Sequence, residues 1–261
     1  MRIVFWNLFK KNNIDKVVKM LIHNEIDIGI FSEFSNTFHD KKTFCDLGYT
    51  VIDGYGGCDK IIFVIKKSIN AQICREQFRY SICRVTEDDK QLFIAGVHFQ
   101  DNCHSDSEDR KEEISFLLKD INEMEIQYDS HNTIVIGDFN CSPFDPEVIQ
   151  KNKLNCVLYK ELIKKQEIVT HNHRKYRRFY NPMLSVFSES NKIYGSFYRS
   201  SGIDTLYWFF YDQVIMRKDL IDSVDDIRIL MSIENTKLLT KEGLPNKKIS
   251  DHLPLYMEVC L

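Results

Sequence analysis

The chain has 261 residues, of which 43% are hydrophobic and 28% charged, and its formal net charge is −3. This composition allows a buried core and excludes a disordered tail. The net charge is too small to predict a polyanionic or membrane partner, so any such partner must be recognised through a local patch. No apolar run reaches the roughly eighteen residues of a transmembrane helix.

The spacing of the cysteines and the character of the N-terminal residues both indicate the cellular compartment. The eight cysteines include no C-x-x-C pair, whereas a disulfide framework or a zinc ribbon has closer spacing. We therefore expect reduced thiols. The apolar run from Ile3 to Phe9 is short and contains Asn7, and no small-residue cleavage site follows it, unlike a signal peptide. These features predict a cytoplasmic protein.

Strand and helix patterns alternate along the first half of the chain. A strand is predicted over residues 2–8, and Asn12 and Asn13 offer caps for an amphipathic helix that follows. Further strands are predicted over residues 26–34, 60–66 and 91–99, the last as one arm of a hairpin over residues 80–94. A second helix is predicted from Asp109 to Met124.

The second half continues with a strand over residues 133–140. Asp145 is then predicted to cap a helix with Pro146 in its first turn. Strong strand patterns follow over residues 204–216 and 253–261.

This order of elements predicts the fold class. Hairpins mixed with crossover helices favour a layered α/β sandwich. No repeat, low-complexity segment or Pro/Gly/Ser-rich linker marks a boundary, so we predict a single domain over residues 1–261.

Polar residues follow these apolar strands at their ends. The set comprises Asn7, Glu33, His98, Asp138, Asn140 and the "SDH" triplet of residues 250–252. A single Asp or Asn at a strand end is more often part of an Asx-turn than a catalyst. The recurrence of such residues on successive strands favours a functional edge, because loops at strand ends carry polar chemistry on a rigid support.

The residue types suit the hydrolysis of a phosphate ester. Glu33 and Asp251 offer the hard oxygen ligands that Mg²⁺ prefers. Asp138 could take the proton of an attacking water, and Asn140 could hold that water or a phosphate oxygen. His98 and His252 could donate to the charge that develops on the phosphate. The sequence contains no G-x-S-x-G, Walker or dinucleotide-binding motif.

The ordered motifs "FWN", "SEF", "GVHF", "GDFNCSP", "YDQV" and "SDHLP" resemble those of the endonuclease/exonuclease/phosphatase (DNase I-like) superfamily. The resemblance extends over residues 4–258. It implies a four-layer α/β/β/α sandwich with two face-to-face mixed β-sheets. It also implies cleavage of phosphate esters that depends on a divalent metal, Mg²⁺ with Mn²⁺ as a possible substitute.

The resemblance also assigns roles. Glu33 would be the main metal ligand, supported by Asn7 and Asp251. Asp138 would activate the water that Asn140 positions, and His98 would contact the phosphate. His252 would stabilise the transition state, oriented by Asp212. Abasic-site members carry an acidic residue where this chain has Phe9, which makes an abasic-repair role less favoured and places more weight on Glu33.

A basic and aromatic segment, residues 170–182, suggests the substrate. Its cations could bind phosphates and its aromatic rings could stack on bases, which predicts a nucleic-acid contact through Arg174, Arg177, Arg178, Tyr180 and Asn181. The alternative is a solvated basic loop with its aromatic residues packed inward. His171 and His173 lack further ligands nearby in sequence and are interpreted as solvated.

Three functions remain open at this point. The first is an Mg²⁺-dependent nuclease that acts on DNA or RNA, with no membrane and no obligate protein partner. The second is a hydrolase of a small or lipid-like phosphate ester that uses the same site. The third is a binding protein that keeps the fold without catalysis. This third function is disfavoured because every polar position of the set is occupied by a competent residue.

Overall fold

The computed structural model of the chain describes residues 1–11, 13–34, 38–101, 107–188, 192, 194–201 and 205–261. The helices are α1 (Ile14–His23), α2 (Phe38–Asp46), α3 (Ser107–Gln127), α4 (Pro146–Ile149), α5 (Lys160–Lys165) and α6 (Met183–Val186), with a 3-10 helix over Lys218–Ser223. None of the helices in these ranges is long and apolar enough to cross a membrane.

Two large sheets contain most of the strands. The first has the order β16 (Val224–Ile229), β19 (Leu255–Val259), β1 (Arg2–Asn7), β2 (Ile28–Ser32), β4 (Ile61–Lys66) and β3 (Tyr49–Ile52). The second has the order β5 (Asn70–Gln77), β6 (Tyr80–Glu87), β7 (Lys90–His98), β8 (Thr133–Asp138), β15 (Asp212–Met216), β12 (Phe179–Tyr180) and β9 (Cys156–Val157).

Three two-stranded ribbons extend from these sheets. They are β10–β11 (Ile168–His171 and Arg174–Arg177), β13–β14 (Phe197–Tyr198 and Trp208–Phe209) and β17–β18 (Ser232–Ile233 and Thr236–Lys237). Both large sheets are mixed, since β1 runs parallel to β2 and β7 runs parallel to β8 while most other neighbours are antiparallel.

The alternation of apolar residues in β8 shows how the layers pack. Successive side chains of a strand point to opposite faces of the sheet. Ile134 and Ile136 join the core between the two sheets, whereas Val135 packs in a second core under α3. Leu117 and Ile121 supply the helix side of that second core. Both faces of β8 are therefore buried, and the predicted α/β sandwich with two facing mixed sheets is confirmed.

The first and last strands lie side by side. β19 pairs antiparallel with β1, with Phe5 opposite Leu255. This pairing places the first and last strands in one sheet. The assignment of residues 1–261 to a single domain stays our inference.

Local details differ from the sequence expectations. The continuous strand predicted over residues 204–216 is interrupted, because the chain leaves ribbon β13–β14 at Phe209 and enters the second sheet only at Asp212. Asp145 is the N-cap residue of α4, with Pro146 following as predicted, but its side chain makes no capping hydrogen bond, and its carboxylate instead accepts from the Ser142 N–H at 2.8 Å. Asn13 makes no side-chain cap either, and Asn12 and Cys103 lie outside the described residues.

Candidate active site

Strand register places three predicted residues in a row across the second sheet. His98 ends β7 directly opposite Asp138, which ends the parallel strand β8. Strand β15 runs antiparallel to β8, so its first residue, Asp212, lies on the other side of Asp138. Because pairing partners lie about 5 Å apart, the three side chains are neighbours at one edge of the sheet.

The first sheet contributes a second row at the same place. Asn7 ends β1 opposite Ser32, the last residue of β2, so Glu33 follows immediately beyond the sheet. The turn before β19 is anchored to β1, because the Ser250 hydroxyl donates to the Asn7 carbonyl oxygen at 2.7 Å. The Trp6 indole N–H also donates to the His252 carbonyl oxygen at 3.0 Å.

Glycine at position 137 allows β8 to carry Asp138 close to β7. A Cβ at this position would lie 2.0 Å from the Val97 carbonyl oxygen, far inside van der Waals contact. The residue before the central carboxylate therefore has to lack a side chain.

The two rows enclose a pocket of about 330 Å³. Its lining contains every predicted catalytic and metal-binding residue except Asp212, which lies behind His252. The lining residues are Asn7, Phe9, Glu33, His98, Asp101, Asp138, Asn140, Phe197, Arg199, Tyr211, Asp251 and His252. The structure thus brings together residues that are up to 245 positions apart in the chain.

Asp138 lies at the centre of the polar contacts. Its Oδ2 accepts a hydrogen bond from Asn7 Nδ2 at 3.1 Å and lies 3.8 Å from Nε2 of both His98 and His252. Its Oδ1 accepts from the Asn140 backbone N–H at 2.9 Å. The side chain is only 2% exposed, so these contacts hold the carboxylate in one orientation.

His252 and Asp212 form a buried pair. The Nδ1 of His252 lies 2.8 Å from Oδ2 of Asp212. Burial alone would lower the pKa of His252, but the charges of Asp212 and Asp138 and the hydrogen bond to Asp212 outweigh burial and raise that pKa to about 10. The pairing with Asp212 thus favours the protonated imidazole, with Nδ1–H donating to Asp212 and Nε2 facing Asp138.

Glu33 and Asn140 adopt strained backbone conformations at the ends of their strands. Their φ angles are +51° and +48°, in the left-handed region that non-glycine residues seldom occupy. Glu33 is also held near its neighbours, with Oε1 3.5 Å from Asn7 Nδ2 and 3.6 Å from His98 Nε2. Such strain is typical of residues that a functional site holds in place.

The charge balance of the pocket suits a cation. Glu33, Asp101, Asp138 and Asp251 line it, against Arg199 as the permanent cation of the lining. Asp251 Oδ1 is buried without a hydrogen-bond partner among the described residues. Burial raises the pKa of Asp251, and nearby His252 partly offsets that rise. An acceptor without a donor beside a second carboxylate fits a metal ligand better than a structural hydrogen bond.

A second group of possible metal ligands is Asp138, Asp212 and His252, whose ligand atoms all lie within 4.8 Å of one another. Nδ1 of His252 is already engaged with Asp212, and Oδ2 of Asp138 already accepts from Asn7. We therefore favour Glu33, Asn7 and Asp251 as the metal side of the pocket.

Asn140 is supported by a buried ion pair that sequence patterns did not indicate. One N–H of its side chain donates to the Phe99 carbonyl oxygen at 2.8 Å. Arg110 donates to the Asn140 carbonyl oxygen at 3.3 Å and pairs with Glu147 at 3.0 Å. Arg110 comes from α3 and Glu147 from α4, so only tertiary contacts link them to the site.

Aromatic residues form one wall of the pocket and were also missed. The Phe197 ring packs on the His252 imidazole with centroids 4.7 Å apart, and Tyr211 stacks on Phe197 at 5.5 Å. Phe9 lines the pocket and is 41% exposed. Isolated aromatic residues give no sequence signal of this kind, because their position depends on ribbon β13–β14.

The basic segment lies elsewhere. Tyr180, in the last part of this segment, lies on β12 and pairs with Met216 of β15. Met216 is four residues from Asp212, a distance of about 14 Å along the strand. Arg177 forms an ion pair with Glu167, and Arg178 donates to the Gln166 carbonyl oxygen at 2.7 Å. None of the five residues predicted to bind substrate lines the pocket of the candidate active site.

Asn181 and Arg174, two further residues that were predicted to bind substrate, also lie outside the pocket of the candidate active site. Asn181 is fully buried and donates to Gln213 Oε1 at 2.9 Å, and Gln213 in turn donates to the Cys141 carbonyl oxygen. Arg174 is exposed on β11, beside the solvated turn that carries His173. The assignment of this segment to the substrate thus stays a sequence-based prediction without support from the pocket.

A larger groove of about 720 Å³ lies at the opposite end of β1, near Arg2 and Lys66. There Arg2 pairs with Glu258, and Lys66 pairs with Asp27 at 2.7 Å. Because its charges are paired with one another on the surface, size alone does not make this groove the candidate site.

Comparison by sequence finds no matching protein family and no curated relative. Comparison by structure finds many solved proteins of the same fold. The endonuclease domain of TRAS1, a telomere-specific non-LTR retrotransposon, is 13% identical with a TM-score of 0.59, and the match covers 100% of this chain and 98% of that one.

Two further structures match over nearly their whole lengths. The 3′-5′ exonuclease NExo from Neisseria meningitidis is 15% identical with a TM-score of 0.59, and the match covers 100% of both chains. TDP2 of D. rerio, complexed with a single-strand DNA product, is 16% identical with a TM-score of 0.57, and the match covers 98% of this chain and 97% of that one. The chain therefore has the DNase I-like α/β sandwich fold of these proteins.

Proposed function

We propose that the protein is a divalent-metal-dependent phosphodiesterase, and that its substrate is DNA or RNA. The observation that carries the proposal is the position of Asp138. A single buried carboxylate oxygen accepts from Asn7 and faces the Nε2 atoms of two histidines. One of these histidines is charged by its own buried carboxylate partner, Asp212.

Asp138 is the proposed general base. Its carboxylate is held by the Asn140 backbone N–H and by Asn7, so it presents a fixed acceptor to a water molecule in the pocket. Asn140 keeps one side-chain N–H and its oxygen available, because its other N–H donates to Phe99. These groups direct the attack of the water on phosphorus while Asp138 receives the proton.

His252 stabilises the charge that develops on the phosphate. The protonated imidazole presents Nε2–H to the pocket, and Asp212 and the Phe197 ring hold its plane. A preorganised donor of this kind requires no reorganisation during the reaction. His98 presents its Nε2 to the same region, facing Glu33 and Asp138.

Glu33, Asn7 and Asp251 are the proposed ligands of Mg²⁺, which Mn²⁺ could replace. The excess of carboxylates and the unpartnered Oδ1 of Asp251 support this choice. The Asn7 oxygen accepts from the Phe9 N–H at 3.0 Å and retains a second lone pair. When bound, the metal would neutralise charge on the phosphate oxygens.

Nucleic acid is the proposed substrate class. TDP2 of D. rerio was solved with a single-strand DNA product and NExo with a product DNA hairpin, which supports the choice at the level of shared fold. Phe9 supports it too, because this ring lines the pocket and is 41% exposed, and bases stack on exposed rings. A small phosphate ester, cleaved at the same site, is the second candidate, and the enclosed volume of about 330 Å³ would accommodate one.

A cleavage assay tests the proposal. End-labelled single- and double-stranded DNA and RNA are incubated with Mg²⁺, Mn²⁺ or a chelator, alongside the small diester bis(p-nitrophenyl) phosphate. We expect cleavage of at least one nucleic acid with metal and none with chelator. Cleavage of only the small diester would replace the nuclease with the second candidate, and no cleavage of any substrate would contradict the hydrolase.

The metal ligands are tested separately through Glu33→Gln. The amide keeps the shape of the side chain and removes its charge, so we expect the Mg²⁺ concentration for half-maximal activity to rise about tenfold or more. Circular dichroism checks that the fold is intact. Lys164→Ala, on the distant helix α5, is the control that should leave the Mg²⁺ requirement unchanged. Wild-type activity of Glu33→Gln at limiting Mg²⁺ would count against this ligand.

A further inference from the structure

The pocket of the candidate active site lies next to a second hollow of about 200 Å³. Glu33, His98, Asp101 and Asn140 line both spaces, so the two are adjacent. The new part of the lining is cationic, since it adds Lys10, Lys60 and Arg79. A chain of phosphates that leaves the catalytic centre on this side would therefore meet positive charge.

Two neighbouring turns build the outer wall of this hollow. One is the segment before β4, which ends at Lys60, and the other is the hairpin turn between β5 and β6, which carries Phe78 and Arg79. Glu76 ties them together, because its carboxylate accepts from the N–H groups of Tyr55 at 2.6 Å and Gly57 at 3.2 Å. The two turns thus form one surface.

Phe78 lies beside both cations of that surface. The Lys60 ammonium and the Arg79 guanidinium are each 4.9 Å from the centre of the Phe78 ring. More than half of the side chain, 55%, is nevertheless exposed to solvent. An exposed ring with two cations beside it is suited to a planar, anionic partner.

The Lys60 ammonium remains able to bind an anion. Its ion pair among the described residues is with its sequence neighbour Asp59 at 3.3 Å, and Asp59 is largely exposed. Such a surface pair contributes little, so a phosphate can replace it. Arg79 forms an ion pair with Glu113, in which Arg79 Nε lies 3.4 Å from Glu113 Oε1, and this pair holds the Arg79 side chain in place.

We propose that Lys60, Phe78 and Arg79 form a subsite for a single-stranded flank of the substrate, with phosphates on the two cations and a base stacked on Phe78. Single-stranded nucleic acid is the partner that offers both groups, because its bases are free to stack and its phosphates recur along the chain. The inference rests on the proposed function and deepens it by naming the form of the substrate beside the scissile bond.

Binding of a labelled oligothymidine of about ten nucleotides tests the subsite. The measurement is fluorescence anisotropy in the presence of chelator, so that the strand binds without being cut. We expect Phe78→Ala to raise Kd about tenfold, the loss of one stacked base. Phe78→Trp should restore binding. Phe116→Ala is the matched control, because Phe116 is a similarly exposed ring, 49%, on the outer helix α3.

The cations are tested through salt dependence. Lys60→Ala with Arg79→Ala should make the slope of log Kd against log salt shallower by about 1.4, the release of two counterions from a single strand. Lys164→Ala with Lys165→Ala on α5 removes the same charge elsewhere and should leave the slope unchanged.

The outcomes separate this subsite from the proposed nuclease. A wild-type protein that binds the strand but cuts none would refute the nuclease, while a weakened Phe78→Ala would still support the subsite. A wild-type protein that cuts nucleic acid, together with a Phe78→Ala variant that binds as tightly, would overturn the subsite alone. Failure of the wild type to bind the strand would overturn the subsite even if the small diester is hydrolysed.

Discussion

The two ends of strand β15 illustrate two uses of charge. At its start, Asp212 supports His252 in a pocket whose polar atoms are partly unpartnered, such as Asp251 Oδ1. Just past its end, Arg217 is buried and makes a complete set of contacts with Glu125 and two carbonyl oxygens. Polar groups that lack partners can act on a ligand, whereas fully paired groups stabilise the fold.

The comparison explains why the basic segment is separate from the chemistry. Its Arg177 and Arg178 are paired with Glu167 and Gln166, and their carbonyl oxygens accept from Arg217. The segment therefore belongs to the structural end of β15. The following predictions test this division, in order of decreasing effect.

Asp138→Asn should produce the largest loss. The amide retains the shape of the carboxylate but cannot act as a base, so kcat should fall by about 10²–10⁴-fold. KM should change little or fall, because one negative charge near the phosphate is removed. His252→Ala should have a comparable effect, and the double variant should lose less than the product of the two, because both groups act on one transition state. If Asp138→Asn keeps kcat and only raises KM, Asp138 binds substrate and a different residue is the general base.

Arg217→Met should instead affect stability. It leaves Glu125 buried without its cation, which is expected to cost about 3–5 kcal/mol in the free energy of unfolding, or about 10²–10⁴-fold in the unfolding constant. Urea denaturation measures this loss. Activity per folded molecule should stay at the wild-type value at low temperature, and the double variant Arg217→Met with Glu125→Leu should regain part of the stability. A loss of kcat per folded molecule would contradict this prediction, because it would show that the Arg217 end of β15 contributes to catalysis.

Asp212→Asn should have an intermediate effect on catalysis. It removes the charge that keeps His252 protonated and oriented, and loss of such a supporting group commonly costs about 10–100-fold. The loss should appear in kcat with KM nearly unchanged, as steady-state kinetics can show. The control is a buried substitution away from the site that lowers the free energy of unfolding by the same amount. If kcat falls equally in both variants, the role of Asp212 is structural only.

Arg174→Ala with Lys175→Ala should have the smallest effect. Both side chains lie on β11, at the structural end, so KM for a polynucleotide and its salt dependence should change less than twofold. The sequence pattern alone predicted the opposite. A clear rise in KM together with a shallower salt dependence would restore the basic segment as a substrate contact.

Much of the candidate site was accessible from local sequence. The apolar strands that end in "WN", "SE", "VH" and "GDFN" can be recognised from short stretches of sequence. Each pattern places a polar residue at a strand end, whatever the position of that strand in the sheet. The seven cysteines within the described residues are free thiols, as their spacing indicated. The residues that the patterns missed, such as Arg110 and Phe197, reach the pocket from α3 and from ribbon β13–β14.

The sequence by itself therefore determined which strands are buried and which polar residues follow them, because periodicity and strand ends are local properties of the chain. Only the tertiary structure decided which strand ends meet. His98, Asp138 and Asp212 are neighbours because β8 pairs with β7 in parallel and with β15 antiparallel. The same pairing places the basic segment at the far end of β15, since hydrogen-bond register between strands distant in sequence, and not composition, sets position along a sheet.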